Sequence, residues 1–209
     1  MSDHVLLSTA YFPPISWIAA AFQATTTTIE IHETYVKQTY RNRCNILGPN
    51  GFQILSIPVT KPYGHHSKTF EIEVSSHYDW KRQHMRSIQT AYNSSPFYLF
   101  YKERIEKVLY EPHDLLSELN NALLNLISEL LGFDLKTSFT DTYYHNPDSY
   151  TDLRDKISPG KLSHSEDHFP VYTQVFSHKY PFHPDLSILD LLFNEGPASL
   201  EYIMKLGNN

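Results

Sequence analysis

Residues 5–32 read VLLSTAYFPPISWIAAAFQATTTTIEIH, and the order of patterns within them decides the fold class. Residues 5–7 are an apolar run of strand length, and Tyr11-Phe12-Pro13-Pro14 is a turn whose prolines fix φ and cannot donate to a ladder. Residues 16–22 predict a short helix. The β-branched run 25–28 then leads into Ile29 and Ile31 alternating with Glu30 and His32, the period of a strand. Strand, proline loop, helix and strand in that order make an α/β opening.

Working outward, Gly48-Pro49-Asn50-Gly51 is a turn, residues 52–57 predict a strand, and Phe70, Ile72 and Val74 alternate with Glu71, Glu73 and Ser75 as a second one. Trp80, His84, Ile88 and Ala91 or Tyr92 share a stripe, which predicts a helix over 79–92 with Ser76 and Asp79 at its start. Ser95-Pro96 reads as cap and first-turn proline of a second helix reaching Tyr110. A third, 114–131, buries Leu115, Leu119, Leu123, Leu126, Ile127 and Leu130 and stops at Gly132. Residues 147–167 hold several breakers and few apolar anchors, so a mobile segment covering a cleft is expected there. Residues 171–176 predict a strand, Asp185 is placed to cap a helix from Leu186, and Gly196-Pro197 precedes a last short helix. The expected architecture is one α/β domain over residues 1–209: a small central sheet with packed helices and a helical insertion.

With 209 residues, 41% of them hydrophobic, the chain is long enough to bury its own core. The single cysteine, Cys44, excludes an internal disulfide and any multi-thiolate metal site, and points to a reducing, cytoplasmic setting. The least charged run, 5–29, is interrupted by prolines and lacks a basic start, so neither membrane insertion nor a signal segment is expected. A net charge of -6 argues against specific nucleic-acid binding. The charge is uneven: residues 1–110 carry 11 Lys or Arg against 8 Asp or Glu, and 111–209 carry 6 against 15. Between Thr34 and Phe70 stand Lys37, Arg41, Arg43, Lys61 and Lys68 with no acidic residue, so an anion site is sought in the first half.

A continuous strand would put Glu30 and His32 on one face, where the carboxylate could orient the imidazole as a general base. These two are the candidate catalytic residues; a solvated strand edge explains the spacing as well. Extended backbone would aim Arg41 and Arg43 at one side as a clamp for phosphate or carboxylate, with Tyr11, Lys37 and Asn45 completing a substrate-binding set. On this reading Arg41→Ala weakens an anionic ligand more than it weakens the fold. His84 is read as a hydrogen-bonded core histidine. His65-His66 and the pair His164 and His168 around Glu166 and Asp167 match no specific metal signature, so no metal site is assigned. No cofactor is indicated, since phosphate-loop, dinucleotide and nucleophile-elbow motifs are all lacking from the sequence.

Several segments together resemble the WbqC-like protein family. They are Tyr11-Phe12-Pro13-Pro14, the run from Glu30 and His32-Glu33-Thr34-Tyr35 through Lys37-Gln38-Thr39-Tyr40-Arg41-Asn42-Arg43, and Gly48-Pro49-Asn50-Gly51 with Ile57-Pro58-Val59. Trp80 with His84, Ala91-Tyr92 with Ser95-Pro96-Phe97, and residues 186–197 complete the resemblance. It covers nearly the whole chain and implies a place in bacterial surface-polysaccharide or O-antigen biosynthesis. Where family members open with a His-Gln-Pro segment, this chain has Ser8-Thr9-Ala10. The expected function is a transferase acting on an activated sugar or related anionic metabolite, with oligomerisation open. The alternative is a noncatalytic binding or scaffold protein in envelope assembly.

Overall fold

A computed structural model describes residues 4–160 and 169–206. The opening segment folds as its pattern dictates: β1 (His4–Ser8), α1 (Ile15–Gln23) and β2 (Thr26–Glu30) form a βαβ unit. Its strands are parallel, with Val5 opposite Thr27 and Leu7 opposite Ile29. There follow β3 (Arg43–Gly48) and β4 (Gly51–Ser56), an antiparallel hairpin turning on Pro49-Asn50, then the short pair β5 (Val59–Thr60) and β6 (Glu73–Val74). The helices α2 (Trp80–Tyr92), α3 (Tyr98–Tyr110) and α4 (Leu116–Leu131) are the expected insertion, and Gly132 closes α4 in the left-handed region at φ 76°. The chain then returns as β7 (Thr137–Phe139) and β8 (Thr151–Asp152) and finishes with α5 (Ile188–Glu195) and α6 (Ser199–Leu206).

The central sheet has the order β7-β2-β1-β8, with every pair parallel. From β1 the chain steps to β2 and later to β7 on one side, then comes back to place β8 on the other side of β1. The gap between β1 and β8 is therefore the topological switch point, and the carboxyl ends of all four strands share one edge. Leu6, Leu7 and Ile29 of the sheet are buried, as are Ile15 and Ile18 of α1 and Ile188, Leu191 and Leu192 of α5.

Several expectations are corrected by tertiary partners. Residues 70–74 are not one strand: the Glu71 carboxylate accepts from the Lys68 backbone N–H at 2.7 Å, winding 69–71 into a 3-10 turn before β6. Residues 171–176 lack strand pairing because the Gln174 side chain supplies a substitute, accepting from the His183 N–H and donating to the His183 carbonyl. Ser95 does not cap α3; its hydroxyl donates back to the Tyr92 carbonyl at the end of α2. Ser187, rather than Asp185, caps α5. Of the segment 147–167 expected to be mobile, residues 161–167 lie outside the described ones, as do His164 and His168. Within 147–160 the chain supplies β8, whose two residues pair with Val5 and Leu6.

Among the described residues no helix is long and apolar enough to cross a membrane.

Candidate functional site

The carboxyl edge of the sheet is polar on every strand. β1 ends at Ser8, β2 at Glu30 and β8 at Asp152, and β7 runs into Thr140. Glu30 is fully buried, and its carboxylate takes four donors. Oε1 accepts from the His32 backbone N–H and the Thr140 hydroxyl, each at 2.8 Å. Oε2 accepts from the Tyr144 backbone N–H at 3.2 Å and from Arg154 Nη1 at 3.1 Å. Arg154 also grips Asp152 through Nε at 2.9 Å and Nη2 at 2.7 Å, and its guanidinium lies 5.2 Å from the centre of the Tyr143 ring. Despite the desolvation of Asp152, those bonds to Arg154 hold its carboxyl below the usual range.

A second ion pair stands beside this one. Arg41 is buried and donates from Nε to Glu33 Oε1 at 2.7 Å and from Nη2 to the Ser8 hydroxyl at 2.7 Å. Asn120 of α4 fixes the backbone here, donating to the Arg41 carbonyl at 2.8 Å and to the Thr9 hydroxyl at 3.1 Å. Between β1 and the chain leaving β8 lies a cavity of about 10 Å³, lined by Ser8, Thr9, Tyr40, Arg41 and Leu153 among others. That is room for a single water. Ser8-Thr9-Ala10 thus stands at the switch point.

The predicted site residues are redistributed by this geometry. β2 stops at Glu30, so strand alternation does not carry His32 onto its face; Glu30 binds the backbone of His32, and the imidazole packs against Phe70 with centroids 4.8 Å apart. Arg41 sits in a turn before β3, so strand geometry does not pair it with Arg43, and its charge is already met by Glu33. Lys37 is exposed in the preceding turn. Asn45 is buried on β3, donating to the Tyr40 hydroxyl at 3.3 Å.

Tyr11 belongs to the core. Its hydroxyl meets His84 Nδ1 at 2.9 Å, and its ring packs against Phe12, Trp80 and His84. Burial pushes the His84 pKa down to about 4, against the opposing effect of a hydrogen bond to the Ser56 carbonyl. A neutral imidazole donating to Ser56 and accepting from Tyr11 satisfies both contacts, as expected of a core histidine.

Sequence reasoning missed Ser8, Glu33, Thr140, Asp152 and Arg154. The available signals were the polar end of an apolar strand at Ser8-Thr9 and an Asp-x-Arg in a breaker-rich segment, and neither names a site without the sheet order.

The profile of the WbqC-like protein family matches residues 9–158, the stretch from the end of β1 past β8. A similar protein is an uncharacterised one from Mycobacterium tuberculosis, 29% identical over 196 residues, covering 81% of this chain and 83% of the relative. No solved structure matches the chain at a significant level. The match spans most of the chain and, starting just after β1, includes the other three strands of the parallel sheet, β2, β7 and β8, so the chain belongs to the WbqC-like protein family.

Proposed function

We propose that the protein is a transferase acting on an activated sugar or related anionic metabolite, as the family resemblance implies, with its ligand seated on the carboxyl edge of the sheet. The observation that carries the location is the pair of buried carboxylate–guanidinium systems, Glu30–Arg154–Asp152 and Glu33–Arg41, flanking the β1/β8 switch point. Open α/β sheets bind ligands in that crevice because the strand ends leave polar backbone and loops facing one place. Glu30 has its lone pairs occupied by four donors, so its role is to hold the loops carrying His32, Thr140 and Arg154. His32, half-buried beside Phe70, remains the candidate for proton transfer.

The saturation of Glu30 favours the second reading, a noncatalytic binding protein. A thermal-shift screen with nucleotide sugars, nucleotides and acyl donors tests the first reading, since a ligand of the native state raises its stability. Stabilisation by a nucleotide sugar that is lost in Ser8→Tyr supports the location. Turnover of that ligand with an acceptor separates transferase from binder, and a screen with no hit counts against both.

A further inference from the structure

Arg43 opens β3 half-buried, and among the described residues its guanidinium has no hydrogen bond or ion pair; its Nε is shielded from solvent without an acceptor there. The other two arginines of this region, Arg41 and Arg154, both face carboxylates. A shielded guanidinium N–H with no acceptor is costly unless something supplies one.

Its surroundings repeat the pattern. The isolated antiparallel bridge between Thr34 and Lys68, with Tyr35 N–H donating to the Ser67 carbonyl at 3.0 Å, sets two short arms side by side. Alternation puts Thr34 outward and Glu33, Tyr35, Ser67 and Thr69 inward, all four buried. On that inward face the Tyr35 hydroxyl and the Thr69 hydroxyl are enclosed with no partner among the described residues. The charges of both Arg41 and Arg43 reach the Tyr35 phenol and partly offset the effect of burial, leaving its pKa at about 12. It is therefore a protonated donor at neutral pH. Glu33 cancels the Arg41 charge, and nothing among the described residues cancels that of Arg43.

We propose that Arg43 and Tyr35, flanked by Thr69, form a subsite for one oxyanion group, phosphoryl or carboxylate, of the ligand bound at the carboxyl edge. The assignment rests on the reading that this ligand is anionic. Such a group supplies the missing counter-charge and an acceptor for donors that have none. Arg43, partly exposed, is the side chain through which an anion reaches them. Arg41 is a positioning residue: its bonds to Ser8 and Glu33 tie the subsite to the end of β1.

The test is calorimetric titration of the full chain with inorganic phosphate, pyrophosphate and succinate, with glucose as a neutral control and unfolding midpoints measured alongside. Arg43→Gln is expected to keep the fold and weaken the best anion by about tenfold to hundredfold, the loss of one charge-assisted bond. Tyr35→Phe is expected to weaken the same anion by roughly tenfold while leaving the unliganded protein equally or more stable, because it deletes a hydroxyl with no partner. Arg86→Gln, an exposed change on α2, should bind as the parent does. Binding by the parent that survives both Arg43→Gln and Tyr35→Phe overturns the subsite and leaves the anionic-ligand reading standing. No anion binding by the parent overturns the subsite, and if nucleotide sugars also fail, the functional reading falls with it.

Discussion

Asp185 caps a helix from 169 residues away, and replacing it with Asn should change how stability depends on pH. The cap residue of α1 is Pro14, which has no side chain able to accept, so Asp185 Oδ1 takes the Ser16 backbone N–H at 2.7 Å and Oδ2 the Ser16 hydroxyl at 2.8 Å. Burial nevertheless dominates and raises its pKa from 3.8 to about 7. The folded state then binds more protons than the unfolded chain between these values, so the contribution of Asp185 to stability falls as pH rises from about 4 to about 7. A difference of about 3 between folded and unfolded values corresponds to about 4 kcal/mol. His84 runs the other way: its folded value near 4 lies below 6.5, so stability rises with pH across that interval, by about 3 kcal/mol. The two slopes largely cancel in the parent below pH ~6.5. Asn keeps both acceptor and donor for Ser16 and tolerates the left-handed backbone at φ 55°. Urea unfolding of the parent, Asp185→Asn, His84→Gln and the double variant across pH ~4 to ~7.5 reads the result. Relative to the parent, Asp185→Asn should gain stability with rising pH, while His84→Gln should lose it. Asp190, also raised by burial, slopes the same way in all four proteins and leaves the comparison between them intact. Parallel curves for the parent and Asp185→Asn would refute the argument.

Other substitutions follow from the same contacts. Arg41→Ala, expected from sequence to spare the fold, should cost about 3–5 kcal/mol in urea unfolding because it strands buried Glu33, and Arg154→Ala should do the same to Glu30. Gly196→Ala should destabilise by about 1–3 kcal/mol, seen as a lower thermal midpoint. An added Cβ would stand 2.5 Å from the Phe97 ring, at a residue whose φ is 53°.

Much of the fold was legible because it rests on local periodicity. The stripe Trp80, His84, Ile88 and the leucines of residues 114–131 place α2 and α4 within two residues, and the left-handed Gly132 ends α4 where expected. The βαβ opening was equally plain, since apolar runs of strand length around a proline loop admit few arrangements. What tertiary structure alone decided lies where side chains act across long separations. β8 is two residues long and exists only because Val5 and Leu6 are there to pair with it, so no pattern within residues 147–160 announces it. Asp185 looks like the cap of the helix that follows it and instead caps α1. Arg41 and Arg43 are two residues apart and read as a matched pair, yet Glu33 neutralises one and leaves the other with no partner among the described residues. Periodicity reports which face of an element is buried; it carries no information on which charge meets which, because that depends on strand order, and strand order is set by packing of the whole chain.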